Sequence, residues 1–288
     1  MKILITGGAG FIGSHLCEAL AQSSDYEISS LDDYSTGTKK NHVAGVKYFV
    51  GHTEEIDKII QTSPDIIYHL GEYSRVEQSF YDMDRLIRSN INGTFKVLEF
   101  ARQNGSKIIY AGSSTKFGDK GMNKKQSPYA WVKYFNTELV KNYKFWFDID
   151  YAITYFYNAY GGREISEGDY ATLIGIFKQK MLKNEQLPVV KPGTQTRNFT
   201  HVKDIVDALI LVGEKGHGDG FGISSYDKYS IIDVAKMFGG KIMMIDERKG
   251  NRMMSDINNK RTLSLGWRPR RRLKKHIDEF KEELGQKT

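Results

Sequence analysis

Short apolar runs alternate along the first half of the chain with longer segments whose apolar residues recur at helical spacing. The runs predict buried strands, and the longer segments predict amphipathic helices. The predicted strands are 2–6, 27–31, 47–50, 65–70, 107–111 and 151–156. The predicted helices are about 11–20, 54–61, 86–103 and 128–146. Strands that alternate with helices indicate an α/β fold, in which a doubly wound parallel sheet carries helices on both faces.

The strict alternation fades beyond residue 160. Further helices are predicted at 170–182, 203–213, 231–238 and 273–284. Strand candidates lie at 187–190, 221–223 and 241–245. We therefore predict two regions, a sheet domain at 1–160 and a smaller C-terminal α/β lobe at 161–288. Because no low-complexity linker separates them, the two regions are expected to share one fold.

Composition places the chain among globular proteins and narrows the function classes. It has 288 residues, of which 40% are hydrophobic and 27% charged, and no apolar run has the length of a membrane span. The single cysteine, Cys17, excludes an internal disulfide and fits a cytoplasmic location. The histidines show no metal-ligand spacing, so no metal site is expected. The net charge is +7, and its densest basic run, 268–275, is interpreted as the solvated face of a helix rather than a nucleic-acid surface.

The N-terminal stretch carries a motif for binding a dinucleotide. Gly7, Gly10 and Gly13 follow the first predicted strand and open the first predicted helix. In this setting the first glycine permits a tight turn, the second lets the backbone approach a pyrophosphate, and the third allows close packing of helix and strand. The helix N-terminus adds N–H donors and a positive dipole end. Asp32 ends the second strand at the separation expected for a carboxylate that binds the cofactor ribose.

A second motif, at the start of the helix after the fifth strand, predicts acid–base chemistry. Tyr129 and Lys133 are four residues apart and therefore share one helix face. A lysine ammonium beside a phenol favours the phenolate, which can remove a proton from a sugar hydroxyl. Ser113, at the end of the neighbouring strand, can hydrogen-bond the same oxygen. Beside a dinucleotide site, this trio suits hydride transfer between a carbinol and a nicotinamide.

These motifs together resemble the extended short-chain dehydrogenase/reductase family, specifically its NAD-dependent nucleotide-sugar epimerase/dehydratase branch. The resemblance covers nearly the whole chain. The matching segments are 6–13, 31–33, 69–70, 90–94, 127–133, 158–161, 193–202, 248–251 and 265–267. It implies a Rossmann-type NAD-binding domain with the catalytic Tyr129 and Lys133 at 1–160, and a mainly substrate-binding lobe at 161–288.

The resemblance also assigns roles to individual residues. The residues expected to contact NAD are Gly7, Gly10, Phe11, Ile12, Gly13, Asp32, Asn90, Tyr129 and Lys133. The residues expected to contact a nucleotide-diphosphate sugar are Asn158, Arg197 and Arg248. A homodimer is implied, since in this family the helices predicted at 86–103 and 128–146 form an intersubunit bundle. In this chain they carry the apolar residues Phe95, Phe100, Trp131 and Phe135.

Departures from the branch's pattern bear on the choice of reaction. The dehydratases follow the catalytic hydroxyl with an acidic pair, and the decarboxylases keep a glutamate at the position of Thr115. Here Ser114 and Thr115 follow Ser113, so the acid that would expel water is missing. At the end of the fourth strand, Gly71 and Glu72 replace the common Ala-Ala.

The sequence therefore predicts an NAD-dependent nucleotide-diphosphate-sugar 4-epimerase that acts through a transient 4-keto intermediate. The alternatives are a dehydratase or 4-keto-sugar reductase of the same family, or an NAD-binding regulatory protein without catalysis. The intact set of Ser113, Tyr129 and Lys133 argues against a regulatory protein.

Overall fold

The computed structural model describes residues 1–114, 127–247 and 257–285, and a parallel sheet of seven strands lies at its centre. Along the chain the strands are β1 (Lys2–Thr6), β2 (Glu27–Asp32), β3 (Val46–Val50), β4 (Ile66–His69), β5 (Lys107–Ser113), β6 (Tyr151–Phe156), β7 (Ala159–Tyr160), β8 (Leu187–Val190), β9 (Thr196–Asn198), β10 (Thr200–His201), β11 (Gly218–Ile223), β12 (Lys228–Ser230) and β13 (Ile242–Ile245). The helices are α1 (Phe11–Leu20), α2 (Ile56–Ile59), α3 (Met83–Leu86), α4 (Gly93–Asn104), α5 (Pro128–Phe147), α6 (Leu173–Leu182), α7 (Val202–Lys215), α8 (Ile231–Phe238), α9 (Lys260–Ser264) and α10 (Leu273–Gly285). A π-helical segment, Ile87–Asn92, joins α3 to α4.

The spatial order of the central sheet confirms the doubly wound, Rossmann-type prediction. Across the sheet the strands run β3, β2, β1, β4, β5, β6 and β11, and every neighbouring pair is parallel. The order reverses between β1 and β4, because the chain builds outward from β1 in one direction and then in the other. At such a reversal a crevice opens beyond the carboxyl ends of the strands, and ligands bind there.

Two hydrophobic layers hold the sheet, one on each face. Ile3 and Ile5 of β1 belong to the layer under α1 and α7, whereas Leu4 between them belongs to the layer under α4 and α5. Successive side chains of a strand point to opposite faces, so a strand covered on both faces needs an unbroken apolar run. This explains why β1 contains no polar residue between Lys2 and Thr6.

The C-terminal region contributes to the central sheet as well as to a smaller lobe. Its strand β11 pairs with β6 at the sheet edge, and α7 packs beside α1. A separate core, built from α6, α8, α10 and the two-stranded sheet of β8 and β13, forms the smaller lobe. The sequence prediction did not place residues 218–223 in the main sheet, and the boundary at residue 160 stays a prediction.

A chain of hydrogen bonds ties β1, β4 and α4 together beneath the crevice. The N–H groups of Leu70 and Gly71 donate to Thr6 Oγ1 at 3.1 and 2.9 Å, so the Thr6 hydroxyl is left to donate to His69 Nδ1 at 2.8 Å. His69 Nε2 then donates to Thr94 Oγ1 at 3.0 Å. One acceptor and one donor are what a neutral imidazole offers. Burial lowers the pKa of His69 to about 4, in agreement with that assignment.

We expect His69 to make folding stability sensitive to acid. The folded pKa lies below the ordinary value of 6.5, so the contribution is complete above pH 6.5 and is lost as the pH falls towards 4. From pH 7 to pH 5 this one group should lower the free energy of unfolding by about 2 kcal/mol. Urea unfolding at both pH values measures the loss, and His69→Gln should lose about 2 kcal/mol less. Equal losses in the two proteins would contradict the assignment.

Candidate active site

The glycine loop between β1 and α1 forms a cradle with no room for side chains. Gly7 has a φ of +76°, in the region that favours glycine. A Cβ added at Gly13 would lie 2.1 Å from the Gly7 carbonyl oxygen, and one at Gly10 would lie 3.2 Å from the same atom. The helix therefore begins with backbone N–H groups that no side chain covers. This cradle fits the pyrophosphate of a dinucleotide, as the sequence predicts.

Asp32 stands at the carboxyl end of β2, next to the same loop. Its Oδ2 accepts from the Ala9 N–H at 2.9 Å and its Oδ1 from the Tyr34 N–H at 2.8 Å. The side chain is only 6% exposed, and burial raises the pKa of Asp32. Each carboxylate oxygen still has a free lone pair. Asp32 is thus a fixed acceptor, suited to the hydroxyl groups of a ribose.

One cavity of about 710 Å³ lies beyond the carboxyl ends of the strands and reaches from the glycine loop to the smaller lobe. It brings together eleven of the residues that the sequence singled out. They are Gly7, Gly10, Phe11, Ile12, Gly13, Asp32, Ser113, Tyr129, Lys133, Asn158 and Arg197. The volume is that of a site for a small-molecule ligand or cofactor.

The start of α5 places the tyrosine and the lysine at this cavity. The Ser127 hydroxyl caps the helix by accepting from the Ala130 N–H at 3.1 Å, and Pro128 occupies the first turn. The Tyr129 N–H donates to Ser79 Oγ at 3.2 Å, which fixes the first turn against the loop after β4. Tyr129 and Lys133 both line the cavity from successive turns.

Lys133 is almost fully buried, with 5% of its side chain exposed. Its ammonium donates to the Glu72 carboxylate, to the carbonyl oxygen of Ala111, and to the Tyr110 hydroxyl at 3.2 Å. These three acceptors use the three N–H bonds of the ammonium. The structure therefore places Lys133 at the junction of β4, β5 and α5.

Glu72 is the site residue whose role the sequence did not reveal. It also lines the cavity, and its carboxylate accepts from Thr94 Oγ1, Asn136 Nδ2 and the Tyr110 hydroxyl at 2.9, 3.0 and 3.2 Å. The one signal in the sequence was that Gly71 and Glu72 stand where the resembling family has Ala-Ala. That departure marked the position without showing its partners.

Asn90 lies away from the cavity, although the resemblance assigns it a cofactor contact. Its side-chain Nδ2 donates to the Tyr73 carbonyl at 2.9 Å, and its Oδ1 accepts from the Tyr73 N–H at 2.8 Å. The side chain is fully buried. In this structure Asn90 fixes the backbone of the loop after β4, and a direct cofactor contact stays a prediction.

The turn after β6 and the strand β9 supply the far wall of the cavity. Asn158, in the turn after β6, has a φ of +27° and donates through Nδ2 to the Asn198 carbonyl at 2.8 Å. Arg197 on β9 donates to the Thr196 carbonyl at 2.9 Å and reaches the cavity. Arg248, the other predicted substrate ligand, lies outside the described residues.

Arg75 adds a cation that the sequence did not single out. It lines the cavity, and its guanidinium carbon lies 5.4 Å from the centre of the Tyr170 ring. Its Nε atom is buried without a hydrogen-bond partner, and within the described ranges no carboxylate lies at ion-pair distance. Burial lowers the pKa of Arg75. The charge interaction with Tyr129, which raises that pKa, is the next largest influence. An anionic ligand would satisfy this group.

The described part of the chain contains neither a cluster of metal ligands nor a membrane-spanning helix. No group of three or more His, Cys, Asp or Glu side chains there could hold a metal ion. No helix in those same ranges has the length and apolar character needed to cross a bilayer.

Comparisons with known proteins agree with the geometry of the site. The model of the NAD dependent epimerase/dehydratase family matches residues 3–224. A Methanocaldococcus jannaschii protein provisionally named UDP-glucose 4-epimerase is 32% identical, over 96% of this chain and 95% of its own. UDP-glucuronic acid decarboxylase 3 of Arabidopsis thaliana is 29% identical, over 99% of this chain and 89% of its own. The crystal structure of Thermotoga maritima UDP-glucose 4-epimerase with UDP-glucose has a TM-score of 0.90 and 25% identity, and the match covers 100% of this chain and 99% of that one.

We expect the cavity to bind NAD at least tenfold more tightly than NADP. The 2′-phosphate of NADP would meet the buried carboxylate of Asp32 and its neighbour Asp33, and like charges at contact are strongly unfavourable. Titration calorimetry on the purified protein measures both affinities. Asp33→Asn should reduce the preference for NAD over NADP. Lys40→Ala should leave it unchanged, because Lys40 lies in an exposed 3-10 helical turn outside the cavity lining. Equal affinities for the two cofactors would contradict this placement of Asp32.

Proposed function

This chain belongs to the NAD dependent epimerase/dehydratase family, and on that basis we propose that it is a nucleotide-diphosphate-sugar 4-epimerase. NAD is the cofactor of the family. When bound against the glycine loop and Asp32, it would supply reversible hydride chemistry at carbon 4 of the sugar, through a transient 4-keto intermediate. The observation that carries the proposal is the single cavity shared by the glycine loop, Asp32, Ser113, Tyr129, Lys133, Asn158 and Arg197.

Three residues at the ends of β5 and α5 would act on the sugar. The Tyr129 phenolate takes the proton of the carbon-4 hydroxyl, and the phenol gives it back in the second half of the reaction. Ser113 holds the same oxygen by a hydrogen bond. Lys133, one turn further along α5 and lining the same cavity, would supply the positive charge that supports the phenolate.

The far wall suits the diphosphate of the substrate. Arg197 provides a planar guanidinium that can bind two phosphate oxygens, and Asn158 provides an amide in a turn next to it. The glycine loop holds the cofactor at the opposite end. A sugar bound between them would lie beside Tyr129.

The hydroxyl residues at 113–115 and the hydrogen bonding of Glu72 favour epimerisation over dehydration. Loss of water at carbon 6 needs an acid that can protonate the leaving hydroxyl, and positions 113–115 carry only hydroxyl groups. Glu72 is held by Lys133 and by three neutral donors, which commits its lone pairs inside the protein. Epimerisation needs no such acid.

A second candidate is decarboxylation of a nucleotide-linked uronic acid. Arg75 favours it, because its guanidinium, whose Nε has no hydrogen-bond partner, lines the same cavity as Tyr129 and could bind a sugar carboxylate. The decarboxylase from Arabidopsis thaliana is also a full-length relative. Arg75 fits a 4-epimerase of uronic acids equally well, so the product must decide between the two reactions.

The reaction is tested by incubating the protein with catalytic NAD and a panel of nucleotide sugars in deuterated water, with NMR detection. We expect inversion at carbon 4, no deuterium at carbon 5 and no net consumption of cofactor. A 4-keto-6-deoxy product labelled at carbon 5 would show a dehydratase. Release of carbon dioxide would show the decarboxylase, and stoichiometric oxidation of reduced cofactor would show a reductase. If NAD binds and no member of the panel reacts, the regulatory alternative is favoured over the 4-epimerase.

Tyr129→Phe is the matched control in this experiment. It removes one hydroxyl and keeps the ring, so binding of NAD and substrate should stay within about threefold. Turnover should fall by at least about 100-fold, the scale of positioned acid–base catalysis. Near-normal turnover of the variant would exclude Tyr129 as the base.

We also propose that the protein is a homodimer formed through α4 and α5. These helices pack side by side, and the Tyr143 hydroxyl donates across them to Glu99 at 2.7 Å. Phe95 and Trp131 expose 46% and 48% of their surfaces, and Trp131 stacks on Phe135. Phe100, in contrast, is 6% exposed and belongs to the core.

Light scattering at micromolar concentration should give twice the mass of one chain. Phe95→Glu should shift the protein to the monomer, because a charge in an apolar interface is costly to bury. Tyr226→Glu, at a residue 56% exposed and away from these helices, is the control and should stay dimeric. A monomeric wild-type protein would exclude the proposal.

A further inference from the structure

The ammonium of Lys133 and the carboxylate of Glu72 are buried against each other, with 5% and 3% of the two side chains exposed. The remaining N–H bonds of the ammonium go to Ala111 and Tyr110. A buried charge is tolerated when an opposite charge and hydrogen bonds replace the water that it has lost. Each member of this pair meets that condition through the other.

The hydrogen bonds around Glu72 all point towards it. Thr94 donates to Oε1, and the Thr94 oxygen in turn accepts from the neutral His69. Tyr110 and Asn136 donate to the same oxygen. Every hydroxyl and amide of this group is therefore oriented to stabilise a negative charge.

The titratable groups around the pair are accounted for. His69 is neutral, because burial lowers its pKa to about 4. Burial raises the pKa of the Tyr110 hydroxyl well above its ordinary value, so Tyr110 is neutral too. Two further groups lie on the cavity side. Tyr129 belongs to α5, as Lys133 does, and Arg75 interacts electrostatically with Tyr129. Among these groups Glu72 is the anion in contact with the Lys133 ammonium.

We propose that Glu72 is a positioning residue that keeps the Lys133 ammonium charged and fixed beneath the cavity. Its charge thereby sets the pH range in which the Tyr129 phenolate forms. This inference rests on the proposed function in taking Tyr129 as the base, whereas the pairing of Glu72 with Lys133 is independent of the reaction. Without the carboxylate, the buried ammonium would keep only the Ala111 carbonyl and the Tyr110 hydroxyl as acceptors, so both its position and its support for the phenolate would weaken.

The pairing is tested by a double-mutant cycle on urea unfolding at pH 7. Glu72→Gln and Lys133→Met each leave one buried charge without its counter-ion, so each should lower the unfolding midpoint. The double variant leaves neither charge, so its loss should be clearly smaller than the sum of the two single losses. Additive losses would overturn the proposal. Glu72→Gln is close to isosteric and Glu72→Asp keeps the charge, so at least one variant should fold.

The role in catalysis is tested by the pH profile of turnover. In Glu72→Gln the acid limb should move about one pH unit higher, so that turnover on this limb falls about tenfold while KM changes less than threefold. In Glu72→Asp, which keeps the charge, the acid limb should lie between that of the wild-type protein and that of Glu72→Gln. The control is Glu164→Gln, which removes another buried carboxylate paired with a lysine, 5% exposed and 3.5 Å from Lys178. Its acid limb should stay where the wild-type limb is.

Two results would overturn the catalytic role. An unmoved limb with reduced turnover would show that Glu72 is merely structural, and a limb shifted to lower pH would show that its charge opposes the phenolate. The failure of the proposed function is a separate result. If no nucleotide sugar is turned over, that function fails, while the unfolding cycle still decides whether Glu72 and Lys133 act as a pair.

Discussion

The burial of two opposite charges under the cavity is the constraint on which the site depends. Glu72 follows β4 and Lys133 belongs to α5, and neither charge could stay in this interior without the other. The pair therefore fixes the distance between the sheet and the helix that carries Tyr129. Through Thr94 and His69 the same hydrogen bonds reach Thr6 at the end of β1. The glycine loop starts at the next residue. Its position relative to α5, the helix that carries Tyr129, is therefore fixed by these hydrogen bonds.

The sheet explains why residues so far apart in the chain meet at one cavity. All strands of the central sheet are parallel, so their carboxyl ends lie along one edge. Asp32, Ser113 and Glu72 come from the ends of β2, β5 and β4. Arg197 on β9 and Asn158 in the turn after β6 then close the crevice. Under the proposed function, the cofactor would lie against the sheet, and the substrate would contact both regions.

The sequence was sufficient for the parts of the site that depend on local spacing. The glycine triplet and the pair of Tyr129 and Lys133 are each defined by a few adjacent residues, and they lie at the cavity as predicted. The contact between Glu72 and Lys133 joins residues 61 positions apart, so no periodicity reveals it. The place of β11 was missed for a related reason. Residues 221–223 were predicted as a strand, but only their pairing with β6, a strand distant in the chain, places them in the central sheet.

The position of β11 has a consequence for how the chain assembles during synthesis. β1, the earliest-made strand of this sheet, lies in its interior, and later strands add outward until β6 forms an edge. That edge stays unpaired until about sixty more residues have been made and β11 arrives. An open edge is a template for pairing with other chains. A nascent chain that stalls before residue 218 would therefore expose β6, and aggregation rather than loss of the active site would be its first failure.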